Sequence, residues 1–114
     1  MIIDDLFGES DGEPVRAVAA DAKWFDAMLR LLTRDGVFVA NFPTRAELRE
    51  CAYFSNRRVA GRFRSAFALG AARHVNAVGA FLRTHVHSRS LSAVNGDLKP
   101  RKSGGKDDFY PVLS

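Results

Sequence analysis

The sequence contains a single cysteine and no long hydrophobic run. Cys51 has no second cysteine to pair with, so an internal disulfide is excluded, and its apolar surroundings predict a small core residue. No apolar run approaches the roughly 20 residues that a membrane-spanning helix requires. The first residues carry Asp4 and Asp5 and no basic segment, unlike a signal peptide. We therefore expect a cytoplasmic protein with no membrane partner.

Several motifs of common enzyme classes are also missing. The glycines form no G-x-G-x-x-G loop, which would hold the phosphates of a nucleotide, and there is no G-x-S-x-G nucleophile turn. His85 and His87 are close in sequence, but a third metal ligand is not apparent. We therefore expect no cofactor-binding residue and no metal site in this chain.

Charge is distributed unevenly along the 114 residues. Residues 1–56 carry a net charge of −4, and residues 57–114 carry +8. A basic excess is typical of nucleic-acid-binding proteins, but an arginine-rich helix face in contact with solvent gives the same composition. One hypothesis for function is therefore a small, basic, non-enzymatic module that binds an acidic partner, with nucleic acid the less favoured choice.

Hydrophobic periodicity in the first half predicts a strand–helix–strand unit. Residues 2–7 read as a buried strand, and residues 8–16 as a loop rich in turn-forming residues. Over residues 18–32 the apolar positions step by three and four, which predicts an amphipathic helix. The β-branched and aromatic run at 37–42 predicts a second buried strand, parallel to the first.

Capping residues mark where the helices begin and end. Asp21 is the candidate N-cap of the first helix, and Gly36 is expected to end it in a left-handed turn. Thr44 and Glu47 fit a capping box at the start of a second helix, predicted over 45–64.

The second half is predicted to close the domain with a hairpin. Two short strands, 66–70 and 75–82, are separated by a compact connection. Residues 1–83 then form an α/β domain, 84–95 a weakly structured segment, and 96–114 a disordered basic tail.

This order of elements is similar to the C-terminal half of class I S-adenosylmethionine-dependent methyltransferase folds. Within them the chain most resembles the spermidine synthase (aminopropyltransferase) family, over residues 1–83. The resemblance is carried by Ile3-Asp4-Asp5-Leu6-Phe7-Gly8-Glu9, Gly12-Glu13-Pro14, Trp24-Phe25 through Leu32, Asp35-Gly36-Val37-Phe38-Val39-Ala40-Asn41 and Asn76-Ala77-Val78. It implies an α/β fold with a partial Rossmann-like sheet (strand–helix–strand–helix–β-hairpin) that lacks its N-terminal cofactor-binding half.

The resemblance also implies a catalytic residue. The family's first acid after the fourth strand matches Asp5, and it orients or deprotonates the attacking amine of a polyamine. Asp4 is the second candidate, since it or Glu9 would add negative potential that attracts a cation. The alternative is that Asp4 and Asp5 only end a strand and cap the loop. Close relatives of spermidine synthase have Asp, two small hydroxyl residues, Asp and Pro where this chain has Asp5-Leu6-Phe7-Gly8-Glu9.

For the full family domain the resemblance implies decarboxylated S-adenosylmethionine or S-adenosylmethionine as donor, and it leaves aminopropyl and methyl transfer open. The family's glycine-rich loop, ribose-binding acid and adenine loop belong to earlier strands that this sequence does not contain. We therefore expect a truncated domain that is inactive alone. Its open strand edge is expected to pair with a second copy, as a homodimer, or with a complementary chain.

Overall fold

The computed structural model describes residues 1–70 and 73–87, together with the backbone of residues 109–113. The elements in chain order are β1 (Ile2–Asp4), β2 (Phe7–Ser10), β3 (Glu13–Arg16), α1 (Ala22–Leu31), β4 (Val37–Phe42), α2 (Arg45–Glu50), α3 (Ala52–Ser55), α4 (Arg57–Ala60), β5 (Ser65–Leu69), β6 (Ala77–Leu82) and β7 (Phe109–Leu113). In these residues five strands form one mixed sheet in the order β1-β4-β6-β5-β7, and β2 and β3 form a separate hairpin. The predicted α/β class is confirmed at this level.

The pairing of the strands places three chain segments at one edge of the sheet. β1 and β4 are parallel, as predicted, with Asp4 opposite Ala40. β6 runs antiparallel to β4, so that Phe42 lies opposite Ala77. The ends of β1 and β4 and the start of β6 are therefore neighbours. We call this side of the sheet, where the parallel strands β1 and β4 end, their carboxyl edge. The predicted hairpin of two short strands is confirmed as β5 and β6.

Residues 7–16, predicted as a loop, instead form the hairpin of β2 and β3. Ser10 pairs with Glu13 across a two-residue turn, and the two turn residues, Asp11 and Gly12, both have positive φ angles (52° and 79°). A turn of this kind needs positive φ at both central positions, which Asp-Gly supplies at low cost. The predicted strand at 2–7 accordingly ends at Asp4, where the chain turns into the hairpin.

Helix α1 begins where its cap predicts and ends differently. The Asp21 carboxylate accepts a hydrogen bond from the Trp24 N–H at 2.9 Å, which confirms the predicted N-cap. The helix ends at Leu31, and Leu32 follows in an extended conformation, so the expected left-handed turn at Gly36 is wrong. A Cβ at Gly36 would lie 2.8 Å from the end of the Leu32 side chain and 3.0 Å from the Thr33 carbonyl oxygen, so a larger residue there would displace its neighbours.

The single helix predicted over 45–64 is three short helices, α2, α3 and α4. Thr44 accepts from the Glu47 N–H at 3.1 Å, as the capping box predicts. The backbone then becomes extended at Cys51 and again at Asn56. Asn56 accepts from the N–H groups of Arg58 and Val59 and so caps a new helix, which explains the break.

An aromatic core fixes the helices to one face of the sheet. Phe38 of β4 and Phe81 of β6 are fully buried and meet Phe25 of α1, with the Phe25 and Phe81 ring centroids 5.2 Å apart. Trp24 packs on Phe38 at 4.7 Å. Large buried rings in edge-to-face contact make a rigid platform, and the strands that rest on it hold their ends in fixed positions.

The second half of the chain is described only in part. Residues 83–87 contain no helix or strand, and residues 88–95 of the segment predicted as weakly structured lie outside the described residues. Residues 109–113, for which the sequence predicts disorder, instead form β7, which pairs antiparallel with β5. The remainder of the predicted tail, 96–108 and 114, lies outside the described residues.

Within the part of the chain that is described, no helix combines the length and the apolar character needed to cross a membrane.

Candidate functional site

Three polar side chains meet at the carboxyl edge of β1 and β4. Asp5 directly follows β1, Asn41 is the second-last residue of β4, and Asn76 directly precedes β6. The Asn41 side-chain N–H donates to Asp5 Oδ1 at 3.0 Å, and the Asn76 side-chain N–H donates to Asn41 Oδ1 at 3.1 Å. Asp5 is exposed, whereas the two asparagines are half-buried. The edge therefore holds a solvent-facing carboxylate in place by a chain of amide hydrogen bonds.

Asp4, the second catalytic candidate, is placed differently from Asp5. Its side chain is buried, and its Oδ2 accepts a hydrogen bond from Arg16 Nη2 at 2.5 Å. Its Oδ1 accepts from the backbone N–H of Leu6 at 3.0 Å. Because both carboxylate oxygens already accept hydrogen bonds inside the protein, we assign Asp4 a structural role.

Arg16 ties the β2–β3 hairpin to the edge of the sheet. Besides Asp4, its guanidinium donates to the carbonyl oxygens of Asn41 at 2.6 Å and Val18 at 3.1 Å. It also lies 4.8 Å from each of the ring centroids of Trp24 and Phe42, and its side chain is only 6 % exposed. Paired charge and aromatic stacking together compensate for burying this cation.

Three of the residues at this edge, Arg16, Asn41 and Asn76, are not marked as site residues by the sequence. Arg16 is the only basic residue among the first 22, in a segment rich in acids, and that isolation is the one sequence signal that could have found it. Asn41 and Asn76 stand out in the sequence only through the family resemblance. Glu9, proposed as an additional source of negative potential, lies exposed on β2.

A cleft of about 560 Å³ opens between residues 15–22 and the helices α2 and α3, and Asp5, Asn41 and Asn76 are not among its lining residues. Arg16, Phe42 and Cys51 are among the residues that line it. Cys51 is only 4 % exposed, and this burial raises the pKa of its thiol to about 11. The thiol is therefore neutral at physiological pH, as a core residue would be, and it is not an activated nucleophile.

The two neighbouring histidines do not complete a metal site in the described residues. The rings of His85 and His87 lie 4.7 Å apart, and His85 Nδ1 is 3.5 Å from Ser65 Oγ. In the ranges 1–70 and 73–87, no group of three or more His, Cys, Asp or Glu side chains could hold a metal ion.

A second polar feature lies on the helical side, around Asp26. The Arg58 guanidinium donates to both Asp26 oxygens, at 2.8 and 3.0 Å. This pair lowers the pKa of Asp26, and the charges of Arg30 and Arg62 lower it further. With Leu29, these four residues line a pocket of about 290 Å³. Three arginines against one carboxylate make this surface basic.

No family model, curated protein or solved structure matches the chain.

Proposed function

We propose that this chain is a spermidine synthase-like domain fragment that provides the amine-binding side of an aminopropyltransferase-type site. The observation that carries the proposal is the exposed Asp5 carboxylate, held by Asn41 at the carboxyl edge of two parallel strands. Ligands of α/β sheets bind at this edge, outside the carboxyl ends of the strands. A carboxylate there binds a cationic amine.

The arrangement of elements supports the same proposal. Strand β1, helix α1, strand β4, helices α2–α4 and the β5–β6 hairpin follow one another in the order that the resemblance implies. The β2–β3 hairpin is an addition, inserted between β1 and α1 where the family has an acidic loop. Arg16 anchors this hairpin to Asp4, the residue before Asp5, and to the backbone carbonyl of Asn41.

Asp5 has a defined part in the proposed reaction. An alkylammonium ion must lose a proton before its nitrogen lone pair can attack a sulfonium methylene carbon. The new C–N bond forms as the C–S bond breaks, and the electron pair of that bond stays on sulfur as a neutral thioether. The carboxylate of Asp5 binds the cation and accepts the proton that the nitrogen releases.

These 114 residues contain no glycine-rich G-x-G-x-x-G loop on which a nucleotide donor could be held. We therefore assign donor binding to other residues and expect no turnover by this chain alone. Asp5 would serve equally in a methyl transfer to an amine, so a methyltransferase fragment is the variant of the proposal that differs only in the donor.

Calorimetric titration with 1,4-diaminobutane tests the proposal. We expect saturable binding that Asp5→Asn weakens at least about tenfold, since a hydrogen bond to a charged group is lost. Glu9→Gln is the matched control, because it removes an exposed charge on β2 that belongs to none of the hydrogen bonds around Asp5, and it should leave the affinity within about twofold. Equal binding by wild type and Asp5→Asn would refute the proposal. Decarboxylated S-adenosylmethionine, titrated in parallel, should not bind the chain alone.

The basic pocket around Asp26 favours a second candidate function, an acidic-partner binding module. It predicts binding to an acidic polymer that weakens steeply with salt and is reduced when Arg30 and Arg62 are replaced by alanine. Replacement of Arg49, an arginine outside that pocket, should have little effect. Salt-independent binding, or none, would eliminate this candidate.

A further inference from the structure

We infer, on the basis of the proposed function, that Asn76 is a positioning residue that acts on Asp5 through Asn41. The three side chains form a hydrogen-bond relay with a fixed direction, and this relay selects a ligand rich in hydrogen-bond donors, a primary ammonium ion. Neither asparagine has to touch the reacting atoms for this role.

The direction of the relay follows from the chemistry of its members. A carboxylate accepts hydrogen bonds and cannot donate them. The group that Asn41 places 3.0 Å from Asp5 must therefore be its N–H, which leaves Asn41 Oδ1 on the other side of the amide. That oxygen needs a donor, and Asn76 supplies its own N–H at 3.1 Å. Turning either amide over would set two oxygen atoms, or two N–H groups, against each other.

The backbone explains why the relay can hold Asp5 still. Asn41 lies within β4, where it pairs with Val78, and Asn76 lies immediately before β6. Both amides are half-buried at the ends of paired strands, whereas Asp5 is exposed after the last residue of β1. An exposed aspartate held by neighbouring strands loses less side-chain freedom when a ligand binds.

The oxygen atoms of Asp5 and Asn76 that take no part in the relay indicate the chemistry of the ligand. Among the described residues, no hydrogen bond reaches Asp5 Oδ2 or Asn76 Oδ1, and both are acceptors. A primary ammonium ion has three N–H donors and no acceptor, so it complements these oxygens. A carboxylate or phosphate ligand would face like charge on Asp5.

A mutant cycle with 1,4-diaminobutane as the probe tests the relay. Asp5→Asn keeps an oxygen that accepts from Asn41 but removes the charge, whereas Asn76→Ala keeps the charge but removes the end of the relay. We expect Asn76→Ala to weaken binding about fivefold in the wild-type background and to have no further effect in Asp5→Asn. An unchanged affinity in Asn76→Ala overturns the inference.

Asn76→Asp separates positioning from simple attraction. It adds a negative charge near the site, so attraction alone predicts tighter binding of the cation. A carboxylate at position 76 cannot donate to Asn41, however. Asn41 can turn its side-chain N–H toward only one of the carboxylates at positions 5 and 76, and the other carboxylate then faces Asn41 Oδ1. We expect weaker binding than in wild type, and tighter binding overturns the relay.

The side-chain amide NMR signals of Asn41 in the ligand-free protein make the two failures distinguishable. The relay predicts that these signals shift in both Asn76→Ala and Asp5→Asn. If they shift and no amine binds the wild type, the relay stands and the proposed function fails. If amine binding depends on Asp5 but the Asn41 signals do not shift in Asn76→Ala, the proposed function stands and the relay fails.

Discussion

Asp4 and Asp5 are adjacent in the chain, but their surroundings separate their roles. The Asp4 carboxylate is buried and bonded to the buried Arg16 guanidinium, while the Asp5 carboxylate faces solvent beside Asn41. Removing one partner of an ion pair in which both partners are buried is strongly destabilising, because the other partner is left as an uncompensated buried charge. The Asp4–Arg16 pair therefore stabilises the fold, and Asp5 is the acid that is available to a ligand.

Replacing Arg16 by methionine should lower the free energy of unfolding by about 3–5 kcal/mol, because Asp4 is left buried without its partner. Chemical denaturation measures this loss. Arg58→Ala is the matched control, since it removes an arginine from an ion pair at the exposed surface and should shift the midpoint only slightly. Similar losses in the two variants would contradict the structural role of Arg16.

The buried thiol of Cys51 predicts a dependence of stability on alkaline pH. Burial raises its pKa from an ordinary value of 9.0 to about 11 in the folded protein. The unfolded chain therefore loses its thiol proton first, and folding stability falls as pH rises from about 9 to about 11, by up to about 2–3 kcal/mol.

Denaturation of wild type and Cys51→Ala at several pH values checks this expectation. The variant should show a flatter profile, with a remaining slope above pH 10 from Tyr53, whose pKa burial also raises. A profile unchanged by Cys51→Ala would show that the thiol does not control the effect.

At the scale of elements, the packing of α2 against the sheet depends on a glycine. A Cβ at Gly79 of β6 would lie 2.9 Å from the Leu48 side chain of α2 and 2.9 Å from the ring of Phe81. Gly79→Ala should therefore lower the free energy of unfolding by about 1–3 kcal/mol through overpacking.

Gly8→Ala is the control for this prediction, because no atom lies within 4 Å of a Cβ at that position. It should change stability by no more than about 0.5 kcal/mol. Equal effects of the two substitutions, measured by thermal or chemical unfolding, would contradict the close approach of α2 to β6.

Local patterns in the sequence predicted the elements well where the signal was periodic. The β-branched run at 37–42 and the cap at Asp21 are both found where expected. The β2–β3 hairpin was missed although Asp11-Gly12 is a strong two-residue turn signal, because the strands beside it are exposed and weakly apolar. The breaks at Cys51 and Asn56 could not be read from periodicity, since the apolar stripe continues through them.

The candidate site was only half predictable for a related reason. Asp5 follows an apolar strand, so its position at the sheet edge could be read from order along the chain. Asn76 reaches the same edge only because β6 inserts between β4 and β5, which is a property of strand order in space. Arg16 reaches it through the β2–β3 hairpin, for which the sequence predicts a loop.

At the scale of the whole molecule, the free edge of β1 predicts association. Among the described residues β1 pairs only with β4, and its Ile3 is 65 % exposed. An apolar, unpaired strand edge is a template for pairing with another chain. We expect a dimer in light scattering at micromolar concentration, formed through this edge or with a complementary chain in its place.

Ile3→Lys should reduce this association, because a charge on an edge strand opposes pairing with a second copy. Leu31→Lys is the matched control, since Leu31 is also exposed, at 72 %, but lies on α1. A wild-type monomer, or equal effects of the two substitutions, would contradict association through β1.

The proposed amine site is tested most directly by ¹³C NMR, with the signals of the side-chain carboxylates followed while the chain is titrated with 1,4-diaminobutane. We predict that the Asp5 side-chain carboxylate signal moves saturably while that of Glu9, an exposed acid on β2, hardly moves. The Asn41 side-chain amide signals should follow Asp5 with the same midpoint. An Asp5 signal that does not move, or acidic residues that all move alike, would contradict an amine site at Asp5.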